Sequence, residues 1–152
     1  MAHDGDETGD QLVAAVAQAI EALAGALAAL GEAYEQLDEV SADRLEAELF
    51  APVQAAYGRA QRIHAAFSQR TGRAPASFAP ALPGHPSQGV AGFIQAALDG
   101  VFTADSTLSG LQDSMLLADA GDSELRAGVG DVRRLLADVP ARTRAFQRTL
   151  GR

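Results

Sequence analysis

The stretch VAQAIEALAGALAALGEAYEQL, Val16 to Leu37, decides the reading of the fold. Its larger apolar side chains, Val16, Ile20, Leu23, Leu27, Leu30, Tyr34 and Leu37, recur alternately every four and every three residues. An α-helix turns once in about 3.6 residues, so this spacing lays them along one stripe, the pattern of a coiled-coil-like seam. Ala14, Ala22, Ala26, Ala29 and Ala33 lie around that stripe. Alanine is the best intrinsic helix former and leaves room for a neighbour to come close. We expect a first helix near residues 9–37, preceded by a disordered acidic tail over residues 1–10.

The helical period continues beyond it. In DEVSADRLEAEL, Asp38 to Leu49, either Asp38 or Ser41 suits the N-cap of a second helix after a tight turn. One helix running straight through is the alternative. The second helix has the stripe Leu45, Leu49, Val53, Ala56, Ala60, Ile63 and Phe67. Pro52 has no N–H to donate and crowds the turn before it, so a kink or break is expected there.

TGRAPASFAPALPGHPSQG, Thr71 to Gly89, carries Pro75, Pro80, Pro83 and Pro86 and should be irregular. It would act as a lid, or as a plug in which Phe78 and Leu82 close one end of the molecule. Ser87 is the expected cap of a third helix with the stripe Val90, Ile94, Ala97, Val101, Ala104, Leu108, Leu111 and Met115. Gly92, Gly100 and Gly110 weaken it by about 1 kcal/mol each relative to Ala, so packing has to hold it. Asp122 should cap a fourth helix carrying Leu125, Val129, Val132, Leu136, Val139, Thr143, Phe146 and Leu150, bent at Pro140. The expected fold class is all-α. It is an antiparallel up-down four-helix bundle with a long Pro-rich loop between helices 2 and 3, forming a single domain over residues 11–152.

Composition removes several functions. There is no Cys, hence no disulfide, no thiolate metal ligand and no Cys nucleophile. All 12 basic residues are Arg, and the formal charge is −8. Residues 1–50 hold twelve acids and one base, whereas residues 51–152 hold eight acids and eleven Arg. Nucleic-acid affinity needs concentrated positive charge, so no nucleic-acid partner is expected. The asymmetry instead suits acidic and basic helix faces that meet, within one chain or between subunits. The first ten residues are acidic where a signal peptide would be basic. The apolar run after them is mostly Ala, broken by Gln18 and Glu21, and is a poor spanning segment. A cytoplasmic protein without membrane insertion is the expectation.

Helix 2 carries the most ordered polar arrangement. Gln54, Tyr57, Gln61, His64 and Ser68 fall on one flank of its apolar stripe, and Arg59, Arg62, Arg70 and Arg73 on the other. The polar ladder is expected to set register against neighbouring helices. A small-ligand or anion site built from Tyr57, Gln61, His64, Arg59 and Arg62 is the second reading, because paired Arg suits anions. The face expected to be most exposed bears Ala51, Ala55, Gly58 and Ala65, small residues that would let another helix pack there. No metal, cofactor or catalytic constellation is expected. His64 has no acid three or four residues away, and no Glu-x-x-His pair, nucleophile elbow or phosphate loop occurs. Glu35, Asp38 and Glu39 read as a solvated helix end. The functional expectation is a non-catalytic bundle acting through a protein partner or as a homo-oligomer.

Overall fold

The computed structural model describes residues 2–74, 76–78, 81–82 and 88–150, with side chains from Asp6 onward. The protein is all-helical, with no strand among the described residues. The elements are α1 (Ala2–Gln36), α2 (Glu39–Leu45), a π-helical turn (Glu46–Phe50), α3 (Ala51–Arg70), α4 (Gly89–Asp113), α5 (Met115–Ala120), α6 (Ser123–Leu136) and α7 (Val139–Leu150). Pro75, Pro80, Pro83, Pro86, His85 and the expected cap Ser87 lie outside the described residues.

Each joint has a chemical cause. The chain turns at Leu37–Asp38, and Asp38 caps α2 by accepting from the Ser41 amide at 2.8 Å and the Ser41 hydroxyl at 3.1 Å. Those bonds hold its carboxyl below the usual carboxylate range. The disturbance from Pro52 is taken up upstream: the Ala51 amide donates to the Glu46 carbonyl five residues back, and the widened turn admits the ring. α3 therefore continues through Pro52 without a break. Its end is a Schellman motif, in which Gly72 (φ +71°) donates to Gln69 and the Arg73 amide to Ser68 at 2.7 Å. At Pro140 the expected bend is instead a break, because the ring sits in the first turn of α7, where its missing N–H costs nothing.

Two boundaries differ from expectation. Helical backbone begins at Ala2 rather than near residue 9. Arg73 supports these first turns, donating to Asp10 at 2.8 Å and to the Asp6 carbonyl at 2.9 Å. The third expected helix breaks at Ser114, so Met115 swings out to 70% exposure and Leu117 takes the buried position.

Packing explains the alanines. α1 lies chiefly against α4 and also against α3, burying Leu12, Val16, Ile20, Leu23 and Leu30 with Ala19, Ala26, Ala29 and Ala33. A Cβ at Gly100 would stand 2.8 Å from the Ala22 carbonyl and 3.2 Å from the Ala26 Cβ, so α4 approaches α1 as closely as glycine permits. Of the Ala-rich flank of α1, Ala26, Ala29 and Ala33 are therefore consumed inside the chain, while Ala14 is exposed. α1 is long and apolar enough to cross a membrane by length and composition, and its apolar stripe is covered by α3 and α4. α3 packs on α6 with similar intimacy: a Cβ at Gly128 would overlap Ile63 Cγ2 and lie 3.1 Å from Ile63 Cβ.

Candidate functional site

α3 has an apolar spine, Val53, Ala56, Ala60, Ile63 and Phe67, all buried. Its polar flank faces α1 and sinks into the protein towards its C-terminal end. Gln54 is exposed, Tyr57 and Gln61 are half-buried, and His64 and Ser68 are 3% and 1% exposed. Gln61 Nε2 donates to the Tyr57 hydroxyl at 3.1 Å, so these two bond one another. His64 stands against the Val13 backbone of α1 and the ring of Phe78, whose centroid is 5.4 Å away at an interplanar angle of 73°. Burial pushes the imidazole pKa down, and the Val13 contact offsets this in part. Nε2 of His64 and Oγ of Ser68 are buried without a hydrogen-bond partner among the described residues. Leaving such groups unpaired costs about 1–3 kcal/mol each. Phe78 does pack on the core as expected of a plug, but Leu82 is 90% exposed and closes nothing.

The basic flank faces α6. Arg70 makes a bidentate pair with Asp122 at 2.7 and 2.9 Å and reaches Glu124 at 2.7 Å. Its guanidinium holds the Asp122 carboxyl below the usual carboxylate range, helped by the Leu125 amide that Asp122 caps at 2.8 Å. Arg59 pairs with Asp131 at 3.0 Å, and Arg134 pairs with the same carboxylate. Arg62 makes no ion pair among the described residues. Between the two helices lies an open groove of about 570 Å³, floored by Ala55, Gly58 and Leu135 and edged by Arg59, Arg62, Arg134 and Asp131. Three guanidiniums face one carboxylate, so the groove is cationic. A second hollow of about 310 Å³ continues past Arg59 and Arg62 towards Arg70.

The structure therefore divides the five residues expected to form one ligand site. Arg59 and Arg62 edge the α6 groove, whereas Tyr57, Gln61 and His64 lie on the α1 side with the helix between them. The groove also recruits residues that sequence reasoning missed, Asp131, Arg134 and Leu135. Asp131 and Leu135 sit with Gly128 on one flank of the α6 stripe, a signal available from helical geometry once α6 is known to pack on α3. Arg142 lies near Asp138, and Arg144 sits over Phe102 at 5.6 Å.

Charge matching within the chain is uneven. Of the acids in the first fifty residues, Asp10 and Glu48 make ion pairs among the described residues, the first with Arg73 and the second with Arg44. Glu35, Glu39, Asp43 and Glu46 are exposed and make none. No group of three or more His, Asp or Glu able to hold a metal ion occurs among the described residues. Comparison of the chain with protein-family models, with curated proteins and with solved structures returns no match, so the site stands on its own geometry.

Proposed function

We propose that this chain is a non-catalytic interaction protein, an antiparallel up-down four-helix bundle of the cytoplasm that self-associates through the α3–α6 groove. The observation that carries the reading is the groove itself: a small-residue floor and a half-exposed Leu135, edged by more guanidinium than carboxylate. The occupant is a second copy of the chain, presenting α2 and the π turn. There Glu39, Asp43 and Glu46 recur at helical spacing without an ion pair among the described residues, and Val40 between them is 72% exposed. A projecting Val40 fits a floor of Ala55 and Gly58, while the acids meet Arg62 and Arg134. Acid-rich and Arg-rich surfaces that remain unmatched within one chain attract each other between chains. α1 enters the same proposal as a core helix rather than a membrane span, because its Leu and Ile stripe already has partners.

Light scattering across concentration and ionic strength tests it. The expected result is a dimer at low salt that weakens as salt rises. Arg62→Glu should abolish it, and Arg62→Glu mixed with Asp43→Arg should restore it. A monomer at every concentration and salt overturns the proposal.

A second reading uses the same groove for a small anion, favoured by Arg62 having no carboxylate partner. Inorganic phosphate would then raise the melting temperature of the wild type and leave Arg62→Ala unmoved. No dimer would be required.

A further inference from the structure

The groove leaves the opposite flank of α3 unexplained. Burying a polar side chain is tolerated when it finds a partner. Thr143, buried in α7, donates to the Val139 carbonyl at 2.7 Å. His64 Nε2 and Ser68 Oγ find none among the described residues. They stand one helical turn apart on one face, so a single small molecule spans both. The side chain over His64 is Phe78, half-buried and packed on the core. A benzene ring has nothing to donate to Nε2 and nothing to accept from Oγ. The place is filled in shape and empty in chemistry.

Of the described residues around Phe78, Ala76, Ser77 and Leu82 are exposed, and the Arg73–Asp10 pair lies upstream of the ring.

We infer that Phe78 is a built-in placeholder over a binding site for a phenolic ring, whose hydroxyl donates to His64 Nε2 and accepts from Ser68 Oγ. Such a ring replaces the aromatic contact that Phe78 makes and satisfies the two atoms it leaves orphaned. Burial keeps the imidazole neutral, so one ring nitrogen offers a lone pair, and the Val13 carbonyl of α1 faces the ring. Two contacts of His64, the Val13 backbone of α1 and the Phe78 ring, are uncharged, and no charged group contributes to the shift of its pKa. Arg73 is committed to Asp10 and the Asp6 carbonyl. A neutral phenol suits these surroundings and a phenolate or carboxylate does not. The inference is independent of the α3–α6 groove and of self-association.

The test uses the side-chain analogues of tyrosine and phenylalanine on the full chain. p-Cresol should bind Phe78→Ala about tenfold or more tightly than toluene, because a site that bonds a hydroxyl rejects the analogue lacking it. Adding Ser68→Ala or His64→Leu to Phe78→Ala should bring the two ligands level while toluene still binds. The wild type should bind p-cresol more weakly than Phe78→Ala, since its own ring must be displaced. N-acetyl-tyrosinamide binding as well as p-cresol would identify a polypeptide tyrosine as the source; p-cresol alone would identify a free phenol. Equal binding of p-cresol and toluene to Phe78→Ala, or binding of neither, overturns the inference and leaves the two atoms to water. Should Phe78→Ala fail to fold, the wild-type His64 ring resonances carry the test. They should move with p-cresol and not with toluene, and no movement with either overturns the inference.

Discussion

α3 meets its two neighbours in opposite ways. Toward α6 its long cations stay half in water and are paired across the seam, Arg59 with Asp131 and Arg70 with Asp122 and Glu124. Toward α1 its short polar groups are driven inside, and His64 and Ser68 lose water without gaining a partner there. Both flanks read as polar residues at helical spacing, the neutral one at intervals of three and four and the basic one at three, eight and three. What separates them is reach. A guanidinium carried on a long stem crosses to a neighbour and keeps some hydration, whereas an imidazole or a hydroxyl near the backbone takes whatever the packing leaves it. The α6 side thus pairs its charges across a packed seam, and the α1 side keeps an unmet hydrogen-bonding capacity among the described residues.

The contrast can be broken in order of expected size. Gly128→Ala puts a methyl group into Ile63 and should force α3 from α6, lowering stability by about 1–3 kcal/mol, with a fall in Tm of roughly 2–4 °C per kcal/mol. An unchanged thermal melt would mean the α3–α6 seam is looser than described. Asp122→Ala removes both the α6 cap and the Arg70 pair, and should cost about 1–2 kcal/mol, held down by the exposure of the pair. A denaturant melt measures it. Because the Asp122 carboxyl is depressed in the folded state, its contribution is present above about pH 3.9 and is lost as pH falls through the folded value.

His64 gives the opposite flank a different pH signature. Its folded pKa lies below the unfolded value of about 6.5, so the unfolded chain takes up the proton first. Stability should fall as pH drops below about 6.5, with a slope of at most roughly 1.4 kcal/mol per unit from this one group, and level off once the folded form is protonated. His64→Leu should flatten that part of the curve between about pH 7 and 5, above the range where most carboxylates titrate. A wild-type curve already flat there would mean the imidazole is hydrated. The smallest expected effect is Arg62→Ala, within about 0.5 kcal/mol of wild type in stability because the side chain has no ion-pair partner. The same change should still abolish self-association, which separates a groove residue from a folding residue.

The apolar stripes were legible in advance. Every stripe residue of the second expected helix, from Leu45 to Phe67, is buried; Asp122 caps the helix it was expected to cap, and of the two candidates at the second helix it is Asp38 that caps. The exposed Ala51, Ala55 and Ala65 face was legible too. Less so were the responses to proline and serine. Pro52 is absorbed by a π turn, Pro140 splits a helix, and Ser114 turns Met115 outward, choices that depend on what each backbone gains by packing elsewhere. That Tyr57, Gln61 and His64 fall on one flank and Arg59 and Arg62 on the other was legible as well; that α1 covers the first and α6 the second was not. Helical periodicity orders side chains around their own axis, but it does not say which neighbour stands on which flank.

The amino-acid sequence alone determined that this protein is helical and which edge of each helix is buried, because side-chain spacing and the 3.6-residue turn are local properties. Only the tertiary structure decided that alanines of α1 serve α4, that Arg59 and Arg62 share a groove with Asp131 and Arg134, and that His64 meets Phe78 while its Nε2 and the Ser68 hydroxyl stay unsatisfied among the described residues. Those outcomes rest on contacts between residues distant in the chain, where the position of the second helix, not the first, sets whether a polar atom finds water, a partner or neither.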